Sequence, residues 1–580
     1  MKLLLAAINA KYIHSNLAVY SLRAFASEFE EQIEIAEYTI NHYTDDILQD
    51  IYKKKPDVIA FSCYIWNLEF VKILIEDLAK VLPDTRIWAG GPEVSFDAVT
   101  FLEAYPQVSG VMIGEGEQTF YDLTRYYVQG GELEKIRGIA YRNERNEILQ
   151  NPCNPILDMD TLPFMYGDMK DFANKIVYYE SSRGCPFSCS YCLSSIDKKL
   201  RFRSLSLVEA ELQFFLDHQV PQVKFVDRTF NCNHRHAQGI WKYIKEHDNG
   251  ITNFHFEIAA DLLNEEELQL LGTLRPGLVQ LEIGVQSTNM DTIREIDRVM
   301  DFEALKEIVA RIHEGKNIHQ HLDLIAGLPY ENYDRFIRSF NDVYALKPDQ
   351  FQLGFLKVLK GSKMHQNAVQ YGIQYKTRPQ YEVLGTKWLS YEEVLKLKAV
   401  EEMVEVYYNS LQFTHTVRFL EKAFGSAYEM YEQLADFYER NGLGGQKHSR
   451  MSRMEHLRNF AREQDEKNAG IYDELLILDL YLRENSKSRP VWAPDQADYK
   501  ERIYDFYKKE VGNPAYLKGY EGYNYKQLSK MTHFEVFHHR VLDQLQEGGC
   551  GVVFDYRSRN PLSDDAAVSV IEFMCGTQEE

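Results

Sequence analysis

The chain has 580 residues, 45% of them hydrophobic and 26% charged, and no apolar run near the length of a membrane-spanning helix, ~18 residues or more. Lys and Arg number 65 against 87 Asp and Glu, a net charge of −22. Such a balance argues against nucleic acid or an anionic membrane as a partner, because both recruit proteins through a surplus of cations. The opening MKLLLAAINAK imitates a signal peptide, but its apolar stretch from Leu3 to Ile8 is shorter than an h-region of roughly 7–15 residues. It reads as a buried first strand, which makes the cytoplasm the expected compartment and its thiols reduced.

Residues 1–130 alternate between apolar runs and helical patterns. KLLLAAI (2–8), IEIAEY (33–38), DVIAFSC (57–63), RIWAGG (86–91) and VSGVMIG (108–114) are strand candidates, and NLEFVKILIEDLAKVL (67–82) carries apolar residues at three- and four-residue steps. Continuous apolar strands with helices between them predict a parallel sheet covered on both faces, here a doubly wound, flavodoxin-like α/β domain. Residues 131–172, with Pro152, Pro155 and Pro163, read as a connector lying on the surface. A second series follows over 173–375, with KIVYYES (175–181), QVKFVD (222–227), NFHFEIA (253–259), LVQLEIGV (278–285), IHQHLDLIAG (318–327) and DQFQLGFL (349–356). Six β-α units predict a partial (β/α)6 barrel with its site at the strand carboxyl ends. Residues 376–580 turn helical and then mix tyrosine-rich loops with short strands, a mostly helical α+β domain. Its tyrosines read as packing, and HFEVFHH splits adjacent histidines across two strand faces, against a metal site. The basic stretch 440–462 reads as a solvated helix face, with an anionic-substrate patch as the alternative.

The segment SSRGCPFSCSYCLSS (181–195) follows the first strand of the second series and holds Cys185, Cys189 and Cys192. A reduced compartment and an odd number disfavour disulfides. Structural zinc wants four ligands, often from two Cys-x2-Cys hooks; no second hook exists, although Cys232, His234 and His236 form a distant half-site. An iron–sulfur cube on three thiolates would leave one iron open to a substrate or cofactor.

The C-x3-C-x2-C spacing at this place resembles the radical S-adenosylmethionine (radical SAM) superfamily. The resemblance implies a [4Fe–4S] cluster on Cys185, Cys189 and Cys192, whose open iron chelates the methionine moiety; one electron then cleaves the sulfonium and gives a hydrogen-abstracting radical. Tyr191 would lie against the adenine. FVDRTFN (225–231), EIAADLL (257–263), EIGVQS (282–287) and DLIAGLPYE (323–331) are similar to the later strand motifs. They imply Asp227 facing the site, Gln286 and Ser287 on the ribose, and Gly327 admitting backbone to the adenine. Arg298 would take the methionine carboxylate through a bidentate contact.

The amino-terminal domain is similar to cobalamin-binding domains through FSCYIW (61–66), WAGGPEVS (88–95) and IGEGEQTF (113–120). This implies Ser62 and Tyr64 near the corrin's lower face, Gly90 and Gly91 making room for the nucleotide tail, and Glu115 as a packing or capping residue. The D-x-H-x-x-G motif that supplies an axial histidine is absent, and KYIHSNLA leaves His14 without its flanking Asp and Gly. A dinucleotide fold is disfavoured because no G-x-G-x-x-G follows the first strand. The pair of domains implies a cobalamin-dependent radical SAM enzyme that methylates an unactivated carbon of a small molecule, with a flavodoxin or ferredoxin as reductant. A non-methylating rearrangement, cyclisation or redox reaction is the alternative, and a cobalamin- or redox-sensing binding protein the third reading.

Overall fold

A computed structural model describes residues 1–542, 545 and 547–572. They form two units, Met1–Phe336 with Gly354–Val394, and Ile337–Leu353 with Leu395–Glu580.

The first unit contains two sheets with parallel cores. In the first, β1 (Leu3–Asn9), β2 (Ile33–Thr39), β3 (Val58–Ser62), β4 (Arg86–Gly90) and β5 (Val108–Met112) are parallel, in the order β2-β1-β3-β4-β5. This is the flavodoxin-like order. All seven residues of β1 are buried, as a strand covered on both faces requires. Helix Leu68–Val81 turns Leu68, Val71, Leu74, Ile75 and Leu78 into the core. Gly110 on β5 has no side chain because the Trp88 ring on β4 fills that space, where an added Cβ would lie 2.3 Å from it.

The segment expected to be a surface connector instead continues this sheet. β6 (Ile139–Arg142) and β7 (Ile148–Gln150) add to it antiparallel, after β5. Ile139, Ala140 and Tyr141 are buried and cover what would otherwise be an open edge. The remainder, through Phe172, contains only short 3-10 turns.

The second sheet runs β8 (Val177–Tyr179), β9 (Gln222–Phe225), β10 (Asn253–Ile258), β11 (Val279–Gln286) and β12 (His319–Ala326), each parallel to the next. A sixth strand, β13 (Gln350–Phe355), enters the unit at Gly354 and completes the set. β8 is shorter than expected because Ser181 and Ser182 leave the ladder to bind a side chain, described below.

The second unit is helical through Ala427–Arg440, Arg450–Gln464, Ala469–Arg483 and Lys500–Gly512. It ends in an antiparallel sheet of β14 (Thr532–His539), β15 (Glu547–Arg559) and β16 (Ala566–Glu572). Its tyrosines pack: Tyr407, Tyr428 and Tyr431 are buried, and the Tyr407 and Tyr438 hydroxyls bond at 2.6 Å. The basic stretch is largely neutralised, with Arg440 on Glu463, Arg450 near Glu484, and Arg458 and Arg462 on Asp473. His533 and His539 are held by Glu535 and Glu474.

Candidate active site

The cysteine loop is shaped by what binds its two ends. Asp227, just beyond β9, accepts from the Ser181 N–H at 3.0 Å and from the Ser181 and Ser182 hydroxyls at 2.7 and 2.5 Å. The Ser181 hydroxyl also meets His236 Nε2 at 3.0 Å. Gly184 has φ +90°, and a Cβ there would lie 2.6 Å from the Lys199 carbonyl oxygen. Glycine is therefore required where the loop closes, with the Cys185 N–H donating to the Asp197 carbonyl at 3.1 Å. Further along, the Ser190 N–H donates to the Ile296 carbonyl at 2.8 Å, tying the loop to the segment that carries Arg298.

Cys185, Cys189 and Cys192 line one cavity of 190 Å³ together with Tyr191, Gln286 and Arg298. Among the described residues lining it they are the only thiols, and no imidazole is present. Three thiolates with no fourth thiol or imidazole fit an iron–sulfur cluster with one iron left without a protein ligand. The alternative zinc half-site is engaged elsewhere, with His236 on Ser181 and His234 on Glu267.

Arg298 donates through Nη1 to the Tyr191 hydroxyl at 3.3 Å, through Nη2 to the Gly284 carbonyl, and lies 3.9 Å from Cys189 Sγ. Its Nε is buried without a partner. Burial pushes the Cys189 thiol up and the Arg298 guanidinium pulls it back. Gln286 sits at φ +70°, where the β11–β12 register shifts between Gly284 and Gln286, and its Oε1 is likewise buried without a partner. A Cβ on Gly284 would lie 2.2 Å from Gln286 Nε2, so the glycine makes space for that amide.

Three residues expected at this site are not brought to it. Asp227 is committed to the two serines and shapes the loop from beneath. Ser287 turns away, donating to Glu331 at 2.6 Å. Gly327 has φ +91°, and a Cβ there would press on Val383 at 2.8 Å, so its glycine is explained by strand packing. In their place the cavity wall carries Glu257, Glu282 and Asp323. Glu282 is held by Lys224 and His255, both at 2.9 Å, while burial and neighbouring Glu282 push Glu257 up to about 7.

Two further cavities lie at the carboxyl ends of the first sheet. A groove of 360 Å³ is lined by Ser62, Tyr64, Gly90 and Gly91. A cleft of 710 Å³ is lined by Tyr64, Trp66, Glu115, His14 and the ends of β8 and β9. The two share Tyr64, Gly114 and Glu117, and the cleft shares Ser194 and Arg228 with the thiol cavity. The three spaces therefore follow one another: groove, cleft, thiol cavity. Tyr64 and Trp66 stack at 4.5 Å and 6°, giving the cleft a flat aromatic wall. Gly91 has φ +107°, and a Cβ there would lie 2.5 Å from the Cys63 carbonyl oxygen. Glu115 accepts from the Leu157 N–H at 3.2 Å and pairs with Arg201 at 2.6 Å. His14 Nδ1 is taken by the Tyr178 hydroxyl at 2.6 Å. A glycine-walled groove opening into an aromatic cleft fits a corrin with its tail.

Residues 3–124 match the B12 binding domain and residues 179–343 the radical SAM superfamily. The chain joins a B12-binding domain to a radical SAM domain. The cofactors these domains imply are cobalamin, a [4Fe–4S] cluster and S-adenosylmethionine. Residues 369–554 match DUF4080, a family of unknown function. The cobalamin-dependent radical SAM methyltransferase TokK of Streptomyces tokunonensis is 24% identical over 433 residues, 68% of this chain and 60% of that protein. The 2-(S-pantetheinyl)-carbapenam-3-carboxylate methyltransferase of Streptantibioticus cattleyicolor is 26% identical over 317 residues, 50% of this chain and 44% of that protein. The chain thus spans about half the length of the curated relatives it matches. Among solved structures, the cobalamin-dependent S-adenosylmethionine radical enzyme OxsB, with aqua-cobalamin and S-adenosylmethionine bound, superposes with TM-score 0.57 at 15% identity. That match covers 82% of this chain and 83% of OxsB. TsrM from Kitasatospora setae, with cobalamin and a [4Fe–4S] cluster bound, gives 0.54 at 17% identity, covering 66% and 82%. These likenesses establish a shared architecture. No helix among the described residues is long and apolar enough to cross a membrane.

The sequence did not single out Arg183, Glu257 or Arg228 as site residues. All three lay inside quoted motifs, but their roles depend on how the loops of two sheets meet.

Proposed function

We propose that the chain is a cobalamin-dependent radical SAM methyltransferase acting on an unactivated carbon of a small molecule. The observation that carries this reading is the continuity of the three cavities, which would put a three-thiolate cluster site one cleft away from a corrin site. Cys185, Cys189 and Cys192 would hold the cluster. Arg298, through its unpartnered Nε, would take the methionine carboxylate, Gln286 a ribose hydroxyl, and Tyr191 one side of the adenine. Gly90 and Gly91 would make room for the nucleotide tail, with Ser62 near the corrin's lower face and Tyr64 and Trp66 as the aromatic wall beneath it. Asp227 and Ser287 act as positioning residues. When bound, these cofactors supply one-electron cleavage of a sulfonium and a transferable methyl group; the chain supplies their placement in one continuous set of cavities. A soluble reductant such as flavodoxin or ferredoxin and a cytoplasmic setting accord with this chemistry.

The test is product analysis on anaerobically reconstituted protein. It should convert S-adenosylmethionine to 5′-deoxyadenosine, and to S-adenosylhomocysteine as well once substrate is present; Cys185→Ala should abolish the first product. Undiminished cleavage in that variant would end the assignment. A second reading, radical chemistry without methyl transfer, is favoured by the relatives named as magnesium-protoporphyrin IX monomethyl ester cyclases, 20–25% identical. Deoxyadenosine without S-adenosylhomocysteine, in the presence of the true substrate, would select it.

A further inference from the structure

The charged side chains lining the cleft are paired, with one exception. Glu115 holds Arg201, Glu117 and Glu180 hold Arg183, Asp197 holds Arg201, and Glu211 holds Arg203. In the thiol cavity Glu282 is paired with Lys224, Asp323 faces His321 at 3.0 Å, and Arg298 is engaged as described. Arg228 lines both spaces, and its guanidinium has neither a hydrogen bond nor an ion pair among the described residues.

Its backbone is nevertheless fixed. Asp227 before it is clamped by Ser181 and Ser182, and the Thr229 hydroxyl donates to the Arg228 carbonyl at 2.8 Å. The charge is felt at Tyr64 on the cleft side and at Glu257 on the thiol side. A rigid base thus presents an uncommitted cation where the two cavities meet. A guanidinium in that position gains most from a planar, doubly accepting anion.

We propose that Arg228 anchors an anionic group of the substrate, a carboxylate or a phosphate, at the passage between the cleft and the thiol cavity. The inference rests on the reading of those two spaces given above. The competing anions are accounted for: the methionine carboxylate has Arg298, and the corrin periphery carries neutral amides. Cobalamin's phosphodiester belongs to the tail, and Arg228 does not line the groove assigned to it. Glu257, on the thiol-cavity wall, feels the Arg228 charge, but no hydrogen bond or ion pair joins the two side chains among the described residues. The guanidinium, exposed to solvent in the open cleft, is placed to meet the molecule that must lie between the two cofactors.

The test uses reconstituted holoprotein with cobalamin and S-adenosylmethionine, titrated at constant ionic strength with acetate or methyl phosphate. Acetamide and trimethyl phosphate serve as neutral controls, and the cob(II)alamin electron paramagnetic resonance spectrum is the readout. The expected result is a saturable shift with one or both anions and none with the controls. The anion should bind about tenfold more weakly in Arg228→Met, with partial retention in Arg228→Lys. The stronger anion identifies the substrate's group. The dissociation constant of S-adenosylmethionine should change less than about twofold in either variant. No saturable shift in wild type, or an equal one in Arg228→Met, would overturn the proposal. So would a tenfold loss of S-adenosylmethionine affinity in the variants, which would give Arg228 to the methionine carboxylate. Wild-type protein that binds neither cofactor would sink the reading of the site itself and this proposal with it.

Discussion

His236 shows how a residue remote from the chemistry can govern the cluster loop. It is buried, its Nε2 lies 3.0 Å from the Ser181 hydroxyl, and that hydroxyl donates to Asp227. Burial lowers the His236 pKa to about 4, so the ring stays neutral and donates to Ser181. The unfolded ring titrates near 6.5, so on acidification the unfolded chain takes up this proton first. The contribution is complete above pH 6.5 and is lost as the pH falls toward 4, amounting to about 3 kcal/mol. Urea unfolding between pH 7 and 4.5 should therefore show a flatter pH dependence in His236→Gln than in wild type; equal slopes would remove His236 from this role. At the same scale, the cysteine spacing was legible because three thiols in eight residues have few uses. The fate of Asp227 was not: a motif names a carboxylate but cannot say that two serines on a neighbouring strand end will claim it. The surroundings of Ser287 and Gly327 were not legible for the same reason, since Glu331 and Val383 decide them.

Among elements, the loop after β8 and the helix after β5 are joined by Arg183. Its Nη2 lies 2.5 Å from Glu117 and its Nε 2.9 Å from Glu180, with Glu115 at 3.8 Å. Arg183→Met would leave buried carboxylates without their cation, a loss on the order of 3–5 kcal/mol for a fully buried pair and nearer the lower end here because Glu180 is partly exposed. Arg183→Lys should recover part of it, since a lysine holds one carboxylate where the guanidinium holds two. Chemical denaturation checks both, and an Arg183→Met change within about 0.5 kcal/mol would class the network as an ordinary surface one. Strand periodicity made β1–β5 and β8–β12 readable because each is an apolar run flanked by a helical pattern. β6 and β7 are four and three residues long, too short for a period to declare itself, so a sheet extension passed for a connector.

For the molecule, the domain order was readable because both domains are built from repeated β-α units, and both place ligands at strand carboxyl ends. How closely the two sets of ends approach was not readable, because Ser194 and Arg228 join two cavities only once both sheets have folded. On the proposed reading, the three-cysteine cavity would hold a cluster with one iron open to S-adenosylmethionine. Electron paramagnetic resonance of the dithionite-reduced, reconstituted protein tests it most directly. A [4Fe–4S]⁺ signal is expected whose g values shift on adding S-adenosylmethionine and which is lost in Cys185→Ala, Cys189→Ala and Cys192→Ala alike. A signal indifferent to S-adenosylmethionine, or one that survives removal of any of the three thiols, would contradict it.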